Sequence, residues 1–324
     1  MADMIPPAGA AAFLAAHGWE GTIRPLSGDA SFRRYFRIES HGRVAILMDA
    51  PPPHEDPRAF LAAAQWLAAN GFAAPAIYAA DAAQGLVLLE DFGDARMREA
   101  IDDRPADAPA LYAAAVDILV ALRAMPAGPF PPYDRAVLHR EADLLVDWYC
   151  PAVGLRVDAA GYRAAWNAVL DDAIAAAPVT VLRDYHAENL MLVGPARTLG
   201  LLDFQDALVG HPAYDLVSLL QDARRDVAVD TEAAMLARSR AATGAGDGFM
   251  RAYHVLGAQR NAKILGIFAR LWRRDGKPRY AVLCPRVWRY LERDLAASAL
   301  APVAAWFAAN IPADRRGDPA VLAR

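Results

Sequence analysis

The sequence predicts an α+β fold in which a small antiparallel sheet is followed by a large, mainly helical region. Between residues 21 and 49, three β-rich runs are joined by tight turns, and residues 76–80 and 85–90 add two more such runs. Short runs of this kind separated by turns are typical of an antiparallel meander. From about residue 109 onward, apolar residues recur at helical spacing instead. We therefore expect a five-stranded sheet first and helices after it.

Composition limits the classes of protein to which the chain can belong. It has 324 residues, of which 56% are hydrophobic and 22% charged, as in a globular protein long enough for two domains. The net charge of −4 gives no sign of a nucleic-acid partner. The two cysteines, Cys150 and Cys284, lack the spacing of a metal site or a disulfide framework.

The N-terminus has an acid and two prolines in place of a secretory signal, and no run of about 20 residues is uninterruptedly apolar. We expect a cytoplasmic monomer with no membrane partner.

In the first part of the chain, residues 8–18 predict a short helix, and the loop SGDAS at 27–31 separates the first two strands. Asp56 followed by Pro57 is typical of a helix start, because aspartate is a good N-cap and proline suits the first helical position. Asn70-Gly71 predicts the end of that helix.

The helical region is predicted from the spacing of apolar residues. The predicted helices are 109–125, 138–150, 159–177, 213–221, 231–242, 248–273, 286–298 and 302–309. We expect the residues from Asp314 onward to be frayed.

The stretch from Val181 to Gln221 carries the residues that predict chemistry. Asp184 lies five residues before Asn189, and Asp203 follows an apolar run, a Gly/Pro turn and a second apolar run. A hairpin of this kind would bring Asn189 and Asp203 close enough to share a Mg²⁺ ion, with Asp184 in the preceding loop as a base. Each residue alone could be an ordinary turn or cap residue, but together they predict a phosphoryl-transfer site. The motifs of P-loop enzymes, serine hydrolases and zinc proteases do not occur.

These residues also carry a resemblance to a known family. Asp184, Asn189 and Asp203, followed by Tyr214-Asp215-Leu216 at the start of an apolar helix, resemble the aminoglycoside phosphotransferase superfamily. The strings DASFRRYFRI, LLEDFGD, LLDFQDALVGHPAYDLVSLLQD and AQRNAKILGIFARL resemble the bacterial anomeric sugar kinases that phosphorylate N-acetylmuramate and N-acetylglucosamine in cell-wall recycling.

The resemblance implies a two-lobed protein-kinase-like fold that uses ATP and Mg²⁺. Residues 1–92 would form the nucleotide-covering lobe, and residues 93–324 the helical lobe with the catalytic loop, metal site and sugar site. Asp215 would brace the catalytic loop without taking part in the chemistry. As alternatives we keep an O-phosphotransferase for aminoglycosides or choline-like molecules, and a pseudokinase that binds nucleotide without turnover.

On the nucleotide side, the resemblance implies that the SGDAS loop, with Gly28 and Ser31, covers the triphosphate through backbone N–H groups; a plain hairpin turn is the alternative. The hinge would lie at Glu90 to Phe92, where backbone groups hold adenine, with Met191 as an apolar wall. The acidic side chains of the hinge are expected to form a solvated turn.

Two charged residues expected in a kinase-like fold are missing. Met48 occupies the place of the phosphate-binding lysine, and the helix that should supply its glutamate partner, 58–69, has no acid. Because the lysine and the glutamate are both absent, neither leaves an unpaired charge buried in the protein. Arg33 and Arg34 are the candidate replacements, since a guanidinium can grip phosphate oxygens bidentately; a solvated strand face is the alternative.

The acceptor side of the site is indicated by charge. Residues 248–294 hold eleven Lys and Arg against three acids, a net of +8 in a chain of −4. An anionic sugar suits this segment better than a cationic aminoglycoside, although a solvated helix face would look the same. If the face reaches the site, Arg260 or Lys263 would bind the lactyl carboxylate of N-acetylmuramate. Asp206 would accept a sugar hydroxyl, and His186 would either contact the sugar or brace the loop.

Overall fold

The computed structural model describes residues 5–26 and 32–323. The chain divides into two compact units, one formed by Met1–Asp107 with Ala187–Asp206 and the other by Ala108–His186 with Ala207–Arg324. In the part of the chain described, the first unit contains a five-stranded antiparallel sheet and the second is mainly helical. The predicted α+β class is confirmed.

The strands and helices are as follows in chain order. The strands are β1 (Thr22–Leu26), β2 (Arg34–Ser40), β3 (Arg43–Asp49), β4 (Ile77–Asp81), β5 (Leu86–Glu90), β6 (Val179–Val181), β7 (Leu190–Val193), β8 (Thr198–Leu201) and β9 (Leu208–Gly210). The helices are α1 (Ala10–Ala16), α2 (Pro57–Ala69), α3 (Met97–Asp103), α4 (Ala108–Ala124), α5 (Arg135–Ala142), α6 (Cys150–Ala152), α7 (Ala159–Asn167), α8 (Asp171–Ile174), α9 (Ala213–Leu220), α10 (Val229–Thr243), α11 (Asp247–Arg273), α12 (Cys284–Leu295), α13 (Ala301–Asn310) and α14 (Pro319–Leu322).

The sheet of the first unit has the strand order β1-β2-β3-β5-β4 within the described residues. Side chains alternate between its two faces. One face packs against α1 and contributes Phe36, Leu47 and Leu88 to a buried apolar cluster. The other face carries Tyr35 and Met48, which lie directly opposite each other across β2 and β3.

The hairpin of β7 and β8 belongs to the first unit although it lies late in the chain. The backbone N–H of Leu192 donates to Ala95 O at 2.7 Å, and that of Leu201 donates to Ala73 O at 2.7 Å. These bonds explain why residues 187–206 group with the sheet. The division therefore differs from the boundary placed at residue 92 on the sequence.

The second unit is built around α11, which is buried along most of its length. Two glycines permit close packing there. A Cβ on Gly266 would lie 2.2 Å from the backbone of Leu144, and a Cβ on Gly257 would lie 2.3 Å from the carboxylate of Asp294. Helix α11 can therefore approach its neighbours more closely than a helix with larger side chains.

Three details of the helical region differ from the sequence predictions. The predicted helix 138–150 is α5 followed by a π-helical turn at Leu145–Tyr149, and the predicted helix 159–177 is interrupted between α7 and α8. The expectation of a frayed end from Asp314 onward is wrong for the described residues. The Tyr149 hydroxyl donates to Arg315 O and accepts from Gly317 N, each at 2.9 Å, so packing holds this segment.

One helical stretch in the described part of the chain, Pro105–Ala124, is long and apolar enough to count as a candidate membrane span on length and composition alone. This stretch was not predicted as a membrane span from the sequence. Tyr112 and Val116 of this stretch are buried, and Asp117 forms an ion pair with Arg238 of α10 at 2.7 Å. These contacts are those of a helix packed in a globular unit.

Candidate functional site

The predicted hairpin is present and brings two of the predicted site residues together. In its register Leu190 pairs with Leu201, and beyond that pair the N–H of Leu202 donates to Asn189 O at 3.0 Å. The side chains of Asn189 and Asp203 therefore meet at the open end of the hairpin, where Asn189 Nδ2 lies 3.2 Å from Asp203 Oδ2.

The chemistry of this pair fits a hard cation such as Mg²⁺. Asp203 is exposed, and Gln205 donates to its second carboxylate oxygen at 2.7 Å. Rotation of the Asn189 amide would exchange its nitrogen for its oxygen, giving two protein oxygens side by side. Mg²⁺ commonly takes one or two such ligands and completes its shell with phosphates and water. Among residues 5–26 and 32–323 there is no cluster of three or more His, Cys, Asp and Glu that could hold a metal without such help.

Asp184 lies in the second unit beside two cations. The Arg260 guanidinium Nη2 is 4.0 Å from Asp184 Oδ1, and the Asp184 side chain is 44% exposed. Desolvation raises the pKa of Asp184, but the lowering effects of the neighbouring side chains, led by Lys263 and Arg260, together outweigh it, so the net shift is downward. The carboxylate is therefore ionised at neutral pH, which is the form that a base requires.

The backbone before Asp184 is held by α9. Asp215, which is buried, accepts hydrogen bonds from the N–H groups of Leu182 at 2.6 Å and Arg183 at 2.8 Å. Burial raises the pKa of Asp215 to about 7, and these two hydrogen bonds oppose that shift. Ser218 Oγ donates to Arg183 O at 3.0 Å. This is the geometry that a brace for the loop requires.

Arg260 and Lys263 of α11 both lie in the interior of the second unit. Arg260 is 4% exposed and its Nη2 donates to Ser218 Oγ at 2.7 Å. Lys263 Nζ donates to Glu141 at 3.0 Å. Burial raises the pKa of Glu141, but the charges of Lys263 and Arg183 and the hydrogen bonds from Tyr133 and Lys263 together outweigh it, so the net shift is downward. Glu141 was not predicted, because it lies 122 residues from Lys263 and carries no local signal of that partnership.

His186 is buried, and its Nε2 lies 3.1 Å from Arg224 Nη1. Burial and the neighbouring Arg224 lower the pKa of His186 to about 3, so the ring is neutral and its Nε2 accepts from the guanidinium. Arg224 was not predicted. Asp206, the other predicted sugar contact, is exposed.

On the sheet, the two candidate phosphate cations have different partners. Arg33 Nη2 donates to Glu55 Oε2 at 3.0 Å, whereas Arg34 Nε donates to Asp49 Oδ2 at 2.7 Å. Glu55 was not predicted, because it lies directly before the N-cap Asp56 and therefore outside helix 58–69, where the acidic partner was expected. Gly28 and Ser31, predicted to cover the triphosphate, lie outside the described residues.

The predicted hinge is an ordered segment. Glu90 accepts a hydrogen bond from Ala76 N at 3.1 Å. The ring of Phe92 packs so closely on Gly200 that a Cβ there would lie 2.6 Å from it, and Met191 pairs with Gly200 across the hairpin. The expectation of a solvated acidic turn is wrong for Asp91, whose side chain is 9% exposed and is paired with Arg37 at 2.6 Å.

Comparisons with known proteins show the family to which the chain is similar. A model of the phosphotransferase enzyme family matches residues 22–254. The chain is 41% identical to an N-acetylmuramate/N-acetylglucosamine kinase of Caulobacter vibrioides, and the match covers 94% of this chain and 97% of that protein.

Solved structures share the fold. A choline/ethanolamine kinase family protein from Mesorhizobium loti is similar with a TM-score of 0.64 at 16% identity, over 91% of this chain and 97% of that one. APH(2")-IIa in a ternary complex with streptomycin and ATP is similar with a TM-score of 0.60 at 14% identity, over 81% of this chain and 91% of that one. At these identities the likeness shows the fold alone.

Proposed function

Since the chain belongs to the phosphotransferase enzyme family, we propose that it is an ATP-dependent kinase that phosphorylates the anomeric hydroxyl of N-acetylmuramate, N-acetylglucosamine or both. The product would be the sugar 1-phosphate. The observation that carries this choice of acceptor is the 41% identity, over 94% of the chain, to a protein named for these two sugars. The alternative acceptors, aminoglycosides and choline-like molecules, have no comparable support.

Asp184 is the proposed base. It takes the proton from the C1 hydroxyl while that oxygen forms a bond to the γ-phosphorus and the bond from phosphorus to the ADP oxygen breaks. An anomeric hydroxyl is more acidic than an ordinary alcohol, so a carboxylate with a low pKa is basic enough. Lys263 and Arg260 keep Asp184 ionised and ready to accept the proton.

Asn189 and Asp203 are the proposed protein ligands of Mg²⁺. When bound, the ion would neutralise charge on the phosphates. Asp203 is oriented by Gln205, and Asn189 is placed by the hairpin register. The nucleotide contacts proposed on the sequence, at Gly28, Ser31, Arg33, Arg34, Glu90, Phe92 and Met191, remain proposals.

Arg260 is the better of the two proposed partners for the lactyl carboxylate of N-acetylmuramate. Lys263 already has a charge partner in Glu141 at 3.0 Å, whereas Arg260 lies next to the proposed base. His186 and Asp206 are kept as proposed sugar contacts, and Asp215 as the brace. We place the protein in the cytoplasm as a monomer that acts in peptidoglycan recycling.

A screen for ADP release would test the proposal. Wild-type protein with ATP and Mg²⁺ is offered N-acetylmuramate, N-acetylglucosamine, kanamycin and choline, and ³¹P NMR locates the phosphate in the product. We expect turnover of at least one amino sugar with phosphate on C1. Turnover of kanamycin or choline alone would replace the proposed acceptor, and ATP binding without turnover of any compound would favour the pseudokinase.

A further inference from the structure

The sheet face that carries Tyr35 has no lysine where a kinase-like nucleotide site would place one. Met48 occupies that position in β3, is fully buried, and lies opposite Tyr35 of β2. A thioether has no charge and is only a weak acceptor. A cation that contacts a triphosphate on this face must therefore come from a neighbouring residue.

Arg33, directly before β2, is such a residue and is held in place. Its Nη2 lies 3.0 Å from Glu55 Oε2, and the two side chains are 11% and 18% exposed. The ring of Phe32 stacks on that of His54 with centroids 5.2 Å apart. Two successive contacts thus join residues 32 and 33 to the segment before α2, which limits where the guanidinium can point.

Tyr35 interacts electrostatically both with Arg33 of this ion pair and with the proposed metal ligand Asp203. A side-chain hydrogen bond joins Arg33 to the phenol of Tyr35. Burial raises the pKa of Tyr35 to about 12; the charge of Arg33 opposes this shift and that of Asp203 adds to it. Both charged groups are therefore close enough to the phenol to interact with it electrostatically.

Arg34, the other candidate cation, is also ion-paired but has different surroundings. It points toward the opposite face, where its Nε donates to Asp49 at 2.7 Å and its Nη1 donates to Ile5 O at 3.2 Å. The Asp49 side chain is 2% exposed. Removing the partner of a buried carboxylate strongly destabilises the folded protein. Arg34 is therefore needed to neutralise Asp49 within the sheet.

We propose that Arg33 binds α- or β-phosphate oxygens of ATP and that Glu55 is the positioning residue that orients it. This pair would take the place of the missing lysine and helix glutamate. A guanidinium presents five donors in a planar fork, so it can pair with a carboxylate along one edge and a phosphate along another. The inference rests on the proposed use of ATP and assigns the phosphate contact to Arg33 in preference to Arg34.

Calorimetric titration of the full chain with ADP and with adenosine would test it, because adenosine lacks phosphates. Arg33→Ala should weaken ADP binding about 10- to 150-fold, the loss expected for a hydrogen bond to a charged group, and leave adenosine binding unchanged. Glu55→Ala should weaken ADP by about 3- to 10-fold, and Glu55→Gln, which keeps an acceptor oxygen, should recover most of that loss. The KM for ATP should rise in both alanine variants while the KM for the sugar stays constant.

A matched control is the exposed pair of Arg24 and Glu39 in the same sheet, where Arg24→Ala and Glu39→Gln should leave both affinities unchanged. A double-mutant cycle separates positioning from a general effect. If Glu55 acts through Arg33, adding Glu55→Ala to Arg33→Ala changes ADP affinity by less than about twofold.

Additive losses, or an unchanged ratio of ADP to adenosine affinity in both single variants, would overturn the inference. Arg33→Lys serves if the alanine variant does not fold, and it should weaken ADP because lysine lacks the fork. Failure of the proposed function would look different, since the wild-type protein would then bind ADP no better than adenosine.

Discussion

Two residues of the site region, Arg183 and Asp203, have a left-handed backbone that residues other than glycine rarely adopt, with φ of 71° and 58°. Such conformations cost about 1–3 kcal/mol each and persist only where the surroundings enforce them. At Arg183 the enforcing contacts come from Asp215 and Ser218. One strained residue precedes the proposed base and the other is a proposed metal ligand, as expected where local strain serves a site.

Replacing Asp184 by asparagine should remove the proposed base while keeping a side chain of the same size. Positioned general bases contribute about 10²–10⁴ to rate, so we expect kcat to fall by about that factor while affinity for ATP is kept. Steady-state kinetics together with nucleotide titration would measure both quantities. A near-normal kcat would rule out Asp184 as the base.

Arg260→Ala should have two effects that separate with pH. Arg260 helps to lower the pKa of Asp184, so its loss should raise that pKa and move the acidic limb of kcat/KM to higher pH for both sugars. At about pH 8 the carboxylate is ionised in either protein, and only the contact to the lactyl group should then be missing.

The expected loss at that pH is about 10- to 150-fold for N-acetylmuramate, with N-acetylglucosamine spared. Arg251→Ala is the control, because Arg251 lies on the same helix and is paired with Asp172. Equal losses for both sugars would show that Arg260 does not recognise the carboxylate.

At the scale of the elements, Asp294 joins three parts of the second unit. This fully buried carboxylate of α12 lies 3.0 Å from His254 Nδ1 and 3.5 Å from Asn261 Nδ2, both in α11, and accepts from Gln221 Nε2, just after α9, at 3.1 Å. Burial raises its pKa to about 6, against the effect of His254 and Gln221. The absence of a side chain at Gly257 leaves room for the carboxylate.

The raised pKa of Asp294 predicts a pH dependence of stability. The folded state binds the proton more tightly than the unfolded state, so this contribution is fully present below about pH 4 and is lost as pH rises through about 6. The shift corresponds to about 3 kcal/mol. Urea unfolding from about pH 4 to 7.5 should show this decline in the wild-type protein relative to Asp294→Asn. Parallel curves for the two proteins would contradict the assignment.

At the scale of the whole molecule, charge is distributed unevenly but is largely matched. Residues 248–294 carry a net charge of +8, and several of their basic side chains pair with acids from other elements of the second unit. The pairs include Lys263 with Glu141, Arg286 with Asp226, and Arg293 with Glu232. The basic segment therefore contributes chiefly to the packing of α11 and α12. From the sequence alone, the same excess of positive charge could equally well belong to a solvated helix face.

Ligand-dependent stability should report on the proposed metal site in the intact protein. ADP at about 100 times its dissociation constant should stabilise the fold by about 2.7 kcal/mol, and Mg²⁺ should add to the ADP effect. Adding EDTA, or replacing Asp203 by asparagine, should remove the Mg²⁺ increment in thermal melting. Asp314→Asn, at an exposed position, is the control. An increment that survives in Asp203→Asn would place the ion elsewhere.

The fold class, most of the helices and the pairing of Asn189 with Asp203 could be predicted from the amino-acid sequence alone. These features depend on local patterns: the apolar period fixes strand or helix, and the hairpin register follows from two apolar runs and the turn between them. The order of Asp184, Asn189 and Asp203 is likewise a property of one short stretch.

The partner of each charged side chain, in contrast, could be identified only from the folded structure. Arg33 and Arg34 are neighbours in sequence, yet Arg33, just before β2, pairs with Glu55, whereas Arg34, in β2, pairs with Asp49 of the adjacent strand. Lys263 was predicted as a sugar contact and proves to be paired with Glu141. An ion pair depends on where distant backbone segments meet, and that position is set by packing over the whole unit, so local sequence carries no record of it.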